Sequence, residues 1–432
     1  MGSNLDLSAR LAAAIPRGMS IATPLFASRA ENSEVWDVEG RRYIDFAGGI
    51  AVQNIGHRHP RVLNAVRRQL DEFTHTCFQI TPYEVYVRLA ERLNKLAPGA
   101  FAKKTILLST GAEAIENAVK IARAATSRPA LISFSGGFHG RTMMALALTG
   151  KTNPYKIGFG PFSGEVFHAT FPDTYRGVSV ADSIASIERI FRADVDPSRV
   201  AAILIEPVQG EGGFNVAPPE FLRELRAICD RHGILLISDE IQTGFGRTGK
   251  MFAIEHAGVI PDLIAIAKAI GGGFPIAGVI GRAEIMDAPA PGGLGSTFAG
   301  NAVSCAAGLA VLDVMEEEGI LSRAQKLGAH LDERLRSLGR DPRLGFIGDV
   351  RGLGPMLALE LVKNRESKEP APELTKAIVA KAAERGLIVL SCGVYANVIR
   401  ILAPLTASLE LVDEGLGILE NSMVDATSNR QF

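Results

Sequence analysis

The chain is poor in the features that mark a disulfide scaffold, a membrane protein or a polyelectrolyte. Its four cysteines, Cys77, Cys229, Cys305 and Cys392, lie far apart with no CxxC pair. That spacing excludes a disulfide framework or a cysteine-rich zinc site and reads as small buried hydrophobes in a reducing compartment. No apolar run approaches the ~18 residues that a spanning helix needs. The opening MGSNLDLSAR has no basic stretch leading into an apolar core, and Asp6 stands where a myristoylation pattern requires Ser or Thr. A cytoplasmic location is expected. Neither sign of charge prevails: 46 Lys plus Arg face 47 Asp plus Glu, a net charge of −1. Such a chain has no global field to draw in nucleic acid or an anionic membrane. With 47% hydrophobic and 22% charged residues, the 432-residue chain is an ordinary globular protein rather than a disordered or coiled-coil one. At ~150 residues per unit, the length allows about two or three structural units.

Glycine is the exception to this restraint, at 45 residues, of which 26 fall between Gly111 and Gly300. The same stretch alternates short apolar runs with amphipathic segments. TILLS (105–109), ALISF (130–134), AAILIE (201–206), ILLIS (234–238), LIAIA (263–267) and IAGVI (276–280) read as strands. EAIENAVKIARAA from Glu113 and PPEFLRELRAICDRHG from Pro218 read as helices. Fully apolar strands separated by helices predict an α/β fold with a mostly parallel sheet covered on both faces. Beyond about residue 318 the texture becomes that of a smaller α+β unit. The expected division is an N-terminal segment (1–60) packing with the small domain, a large domain (61–317) and a C-terminal small domain (318–432).

Two patterns mislead. GFGRTG (244–249) matches G-x-G-x-x-G, and Lys250 extends it toward a phosphate loop. A nucleotide-binding module would need a strand running directly into these glycines, or Ser or Thr after the lysine; DEIQT and Met251 stand there instead. His57 and His59 in GHRHP flank a turn with no acidic or cysteine partner nearby, so no metal is expected.

Ligands of open α/β sheets bind at the carboxyl ends of strands. Four features stand there: Gly111 and Ala112 after TILLS, Phe138–His139–Arg141 after ALISF, Asp239–Glu240 after ILLIS, and Lys268 after LIAIA. Singly, each is a helix cap, a solvated charge or a turn. A lysine among apolar residues is the odd member, because Lys is seldom buried without a partner or a task. Together they fit pyridoxal 5'-phosphate, whose aldehyde takes a lysine, whose ring nitrogen needs a carboxylate and whose phosphate suits a helix N-terminus.

STGAEAIENAVKIAR, FHGRT, EPVQGEGG, LISDEIQTGFGRTGK, AIAKAIGGGFP and STFAGN resemble the class III (omega) aminotransferases of fold type I, from about Pro24 to the last helix. Within that family, LALTGKTNPYKIGFGPF and LSCGVYANVIRILAPLT are most similar to the 4-aminobutyrate branch. The resemblance implies Lys268 as the Schiff-base lysine and proton shuttle, and Asp239 as partner of the ring nitrogen. Gln242 would contact the ring oxygen, Phe138 and Ile241 would flank the ring, and Gly111 and Ala112 would cradle the phosphate, with Thr297 supplied by a neighbouring subunit. Arg141 would hold the substrate carboxylate remote from the amine, with Ile50 and Gln79 at the substrate. Arg400 would take the α-carboxylate of glutamate or 2-oxoglutarate, and Glu211 would pair with Arg400 when the donor has none. A homodimer or homotetramer acting on small molecules is implied. Ala112 departs from a frequent Ser and Ile241 from a frequent Val, and neither threatens the cofactor. Sister activities on 5-aminovalerate, ornithine or acetylornithine share most of these residues; Ile50 argues against ornithine, whose enzymes carry a tyrosine there.

Overall fold

Seven apolar runs pair into one sheet in the computed structural model, which describes residues 2–428. They are β1 (Lys103–Leu108), β2 (Ala130–Phe134), β3 (Val166–Ala169), β4 (Val200–Ile205), β5 (Leu235–Asp239), β6 (Leu263–Ile266) and β7 (Ala277–Arg282), in spatial order β1-β7-β6-β5-β4-β2-β3. Every residue of β2 and β4 is buried, as expected of strands covered on both faces. Pairing is parallel from β3 through β6. β7 runs antiparallel to both its neighbours. The cause is local: residues 267–276 are too few for the dozen or more that a parallel crossover needs.

Helix α1 (Gly111–Thr126) leaves the carboxyl end of β1 through a capping box. The Thr110 hydroxyl accepts from the Glu113 amide at 3.2 Å, and the Glu113 carboxylate accepts from the Ser109 and Thr110 amides at 3.0 and 2.9 Å. That reciprocal bonding fixes where the helix starts and, among the described residues, leaves the Gly111 and Ala112 amides of its first turn without a partner. Helix α2 (Pro219–His232) ends on Gly233, whose φ of +62° closes it in a left-handed turn.

Two smaller sheets complete the chain. Strands Ala27–Glu31, Glu34–Asp37 and Arg42–Asp45 form a sheet with Leu387–Ile388, so the start of the chain pairs with its last third. Strands Ile347–Leu353, Met356–Leu361, Leu390–Cys392 and Val398–Ile401 form the other, alongside helices Ile320–Arg340, Pro372–Glu384 and Leu409–Ser428. Helix Asn4–Ala14 was not expected. It buries no residue and is held at its start, where Asn4 bonds Asp37, Glu39 and Phe26 at 3.0, 2.9 and 2.8 Å. Among the described residues no helix is long and apolar enough to cross a membrane.

The misleading glycine loop has a structural task. Arg247 at its centre is wholly buried and donates to the Asn54 side chain and to the Ala403 carbonyl at 2.8 Å, while Asn54 donates to the Phe245 carbonyl at 2.7 Å. One guanidinium thus fastens the loop to both the N-terminal segment and the last third of the chain. His57 and His59 face separate carboxylates, Asp45 at 2.8 Å and Glu318 at 3.0 Å. Removing Arg247 orphans two buried acceptors, at roughly 1–3 kcal/mol each. Arg247→Leu should therefore lower the thermal midpoint by several degrees in differential scanning calorimetry. An unchanged midpoint would remove the fastening role.

Candidate active site

The carboxyl ends of β1, β5 and β6 open on a cavity of about 410 Å³. Asp239 is the last residue of β5, and Lys268 follows β6 by two residues. Gly111 and Ala112 begin α1, the loop after β2 brings Phe138 and His139, and Glu206 and Glu211 follow β4; all line the cavity. Lys268 sits at φ +54°, a left-handed conformation that costs a non-glycine residue about 1–3 kcal/mol. Strain of that size marks a side chain whose direction is dictated by its surroundings.

Lys268 is enclosed by protein apart from the cavity it faces. Burial lowers its pKa, against the opposing pull of Asp239, Glu211 and Glu206, and the net shift favours the neutral amine. Asp239 Oδ2 lies 2.8 Å from His139 Nδ1, and its Oδ1 accepts from the Ile241 amide at 3.1 Å. A carboxylate can only accept, so the histidine donates from Nδ1 and fixes the carboxylate in place.

Glu206 escaped sequence reasoning. It is buried, and its two oxygens accept from the Phe138 and Gly210 amides at 2.8 and 2.9 Å. One carboxyl therefore ties together the loops that carry Phe138 and Glu211. Burial pushes its pKa up to about 7. The signal was available, since Glu206 ends an apolar run as Asp239 ends its own.

Glu211 bonds Arg400, which lies on the strand Val398–Ile401. Burial acts to raise the Glu211 carboxyl, but Arg400 with the Tyr155 hydroxyl outweighs it and the net shift is downward. Arg400 is buried and its Nε has no partner among the described residues. Arg400 also lines a second cavity, of about 910 Å³, together with Ile50. Ile50 is part of a left-handed turn, Gly48–Ala51, at φ +59°, where a Cβ on Gly48 would meet the Leu402 carbonyl oxygen at 2.7 Å. The ion pair therefore stands between the cavity of Lys268 and that of Ile50.

The structure thus gathers Gly111, Ala112, Phe138, Glu211, Asp239, Ile241, Gln242 and Lys268 around one cavity and places Arg400 and Ile50 on the next. It leaves three of the expected residues on the chain's surface. Arg141 lies over the Tyr155 ring at 5.2 Å. Gln79 donates to the Leu294 carbonyl at 3.2 Å, beside the loop that carries exposed Thr297.

The pocket fits a phosphate-bearing pyridine aldehyde. The first-turn amides of α1 suit a phosphate. The Gln242 Oε1 is buried with no partner, and a Cβ on Gly210 would come within 2.4 Å of it, so a polar group can reach that oxygen only because the neighbour is glycine. Asp239 suits a protonated ring nitrogen, and a neutral Lys268 suits an aldehyde. These donors define a pyridoxal 5'-phosphate enzyme.

The aminotransferase class-III model matches residues 16–423, and the chain belongs to that family. It is a pyridoxal-phosphate-dependent aminotransferase of fold type I. It is 56% identical to the 5-aminovalerate aminotransferase DavT of Pseudomonas putida, over 98% of this chain and 99% of that protein. It is 55% identical to the 4-aminobutyrate aminotransferase GabT of Escherichia coli, over 99% and 100%. Among solved structures, the ornithine aminotransferase of Toxoplasma gondii, described with pyridoxal phosphate at its active site, superposes with a TM-score of 0.87 at 29% identity, covering 99% of this chain and 96% of that one.

Lys268→Ala should leave the purified enzyme without its visible cofactor absorption and without transamination; an unchanged spectrum would sink the lysine's role. With the lysine in place, association of pyridoxal phosphate with the apoenzyme should reach half its maximal rate well below the ~10.4 of an exposed lysine. The sign follows from burial, which disfavours the cation and so lets the neutral amine persist at lower pH. Stopped-flow rates that rise only near an ordinary lysine pKa would contradict that cause.

Proposed function

We propose that the enzyme transfers the amino group of 4-aminobutyrate to 2-oxoglutarate, giving succinate semialdehyde and glutamate in two alternating half-reactions. The observation that carries this reading is the buried Arg400 paired with Glu211 at the edge of the lysine's cavity. One pocket must accept a donor without an α-carboxylate and an acceptor with one. A buried guanidinium left unpaired is costly, so a carboxylate that occupies Arg400 in one half and yields it in the other meets both needs.

Bound pyridoxal 5'-phosphate supplies the aldehyde that receives the amino group and a ring that takes up the electron pair of the broken C–H bond. Lys268 Nζ, neutral, accepts the proton from the amine-bearing carbon of the donor. Asp239, steadied by His139, keeps the ring nitrogen protonated. The Gly111 and Ala112 amides hold the phosphate, Phe138 and Ile241 flank the ring, and Gln242 meets the ring oxygen. Arg141 holds the carboxylate common to both substrates, beside Ile50.

Gln79 and Thr297 serve a second copy of the chain in this reading. Each is followed by an exposed apolar residue, Ile80 at 78% and Phe298 at 62% exposure, which is the character of a surface that meets a partner. A homodimer or homotetramer follows. All four cysteines are unpaired, which supports a cytoplasmic setting.

A second reading, 5-aminovalerate as donor, rests on the similar closeness of relatives bearing either name. The two donors differ by one methylene, which an apolar pocket separates by only about 1–3 kcal/mol, or roughly 10–200-fold. Initial rates with 2-oxoglutarate and 4-aminobutyrate, 5-aminovalerate, ornithine and acetylornithine should give the highest kcat/KM for 4-aminobutyrate, with 5-aminovalerate next. A higher value for any other donor would reassign the substrate.

A further inference from the structure

Tyr155 lies in an irregular loop after the helix Met143–Leu148, within LALTGKTNPYKIGFGPF, a stretch that assigns it no role by itself. Its hydroxyl donates to Glu211 Oε2 at 3.1 Å, while the other oxygen of Glu211 takes Arg400. Its ring packs on Phe138 at 4.8 Å between centroids and carries Arg141 over its face at 5.2 Å. Lys151, 5.7 Å from the same ring, donates to the Gly393 carbonyl at 2.8 Å, and the Gly393 amide donates to the Glu211 carbonyl at 3.0 Å. One side chain thus touches the ring-flanking phenylalanine, one substrate arginine and the carboxylate that guards the other.

We propose that Tyr155 is a positioning residue that holds Glu211 when an α-carboxylate takes its place on Arg400, and so sets the preference for dicarboxylate over monocarboxylate ligands. This rests on the alternation of Glu211 proposed above. Glu211 divides its two oxygens between Arg400 and Tyr155. When a ligand's α-carboxylate claims Arg400, Glu211 loses the partner that neutralises it, and the Tyr155 hydroxyl is the hydrogen bond that remains, beside the more distant charges of Lys151 and Lys268. A hydroxyl is worth more to a carboxylate without a counter-ion than to one already paired, because the bond then meets the full charge. The hydroxyl therefore favours the displaced state over the paired one, and only such a difference can shift the balance between them. For a ligand with a single, remote carboxylate, Glu211 stays on Arg400 and the hydroxyl contributes equally before and after binding.

The test is Tyr155→Phe, which keeps the ring over Arg141 and against Phe138 and removes only the hydroxyl. In the holoenzyme, titration calorimetry with two unreactive probes separates the cases: glutarate, which requires Arg400 to be freed, and butyrate, which does not. Glutarate should bind about tenfold more weakly to the variant, the scale of one hydrogen bond to a charged group. Butyrate should change less than twofold. In steady state, KM for 2-oxoglutarate should rise by a similar factor, with kcat/KM for the monocarboxylate donor preserved. Equal losses for both probes, or no loss for glutarate, would overturn the role of Tyr155. If the wild-type enzyme turns over no donor lacking an α-carboxylate, the alternation of Glu211 itself fails, and that outcome is visible before the variant is made.

Discussion

For the role proposed for it, the amine of Lys268 must be uncharged although three carboxyl groups, Asp239, Glu211 and Glu206, favour its ammonium form. A single unpaired carboxylate at 4 Å would stabilise that ammonium by about 4 kcal/mol at an effective dielectric of 20, or about three pKa units. The site avoids this by engaging each carboxyl elsewhere. Asp239 is committed to His139 and the Ile241 amide. Glu211 is neutralised by Arg400. Glu206, with only backbone amides as partners, has its pKa pushed up to about 7 by burial and carries little charge below that. The depressed pKa of the lysine is thus a property of the whole shell. Burial decides the sign because it outweighs what these carboxyls still contribute, and Arg400 adds to it.

The sheet makes that shell possible. Parallel strands deliver their ends to one edge, so Glu206, Asp239 and Lys268 arrive beside one another from three neighbouring strands, β4, β5 and β6. The reversal into β7 is part of the arrangement. Because the chain turns straight back after β6, Lys268 opens a single short 3-10 turn, Lys268–Gly271, at φ +54° at the edge of the cavity, and no long crossover helix follows. The N-terminal segment reaches the same edge through a second left-handed turn at Gly48–Ala51. Arg247, bonded to both Asn54 and Ala403, holds that segment and the last third of the chain against the glycine loop.

Much of this was legible because burial on both faces writes strands as unbroken apolar runs. ALISF matches its strand residue for residue, and the other five runs match to within two residues. Lys268 and Asp239 stood out for the same reason, being charges at the ends of apolar runs. The antiparallel direction of β7 could have been read from the shortness of the link, had loop length been weighed against the crossover it would need. Helix Asn4–Ala14 left little signal because it buries nothing and so has no need of an apolar stripe. Tyr155 lay inside the stretch LALTGKTNPYKIGFGPF that carried the resemblance, but nothing there gave it a role. Its neighbours in sequence are loop, and apart from nearby Lys151 its partners Phe138, Arg141 and Glu211 meet it only in three dimensions. The G-x-G-x-x-G pattern was legible only as something to reject, since nothing in its spelling announces a buried arginine that pins two distant segments.

The two arginines proposed to meet substrate, Arg141 and Arg400, differ in solvation, and the difference matches the work proposed for each. Arg141 is exposed, with an aromatic face for company, so water can satisfy its charge whenever no ligand is bound. The carboxylate it would hold is common to both substrates, so it needs no substitute partner. Arg400 is buried, with its Nε already unsatisfied, and losing Glu211, its only carboxylate partner among the described residues, would leave an uncompensated interior charge at a cost of about 3–5 kcal/mol. In the proposed reaction its ligand is present in one half and absent in the other. A resident carboxylate that alternates with the ligand keeps that charge paired throughout, so the arginine that needs a protein partner is the one whose substrate contact is intermittent.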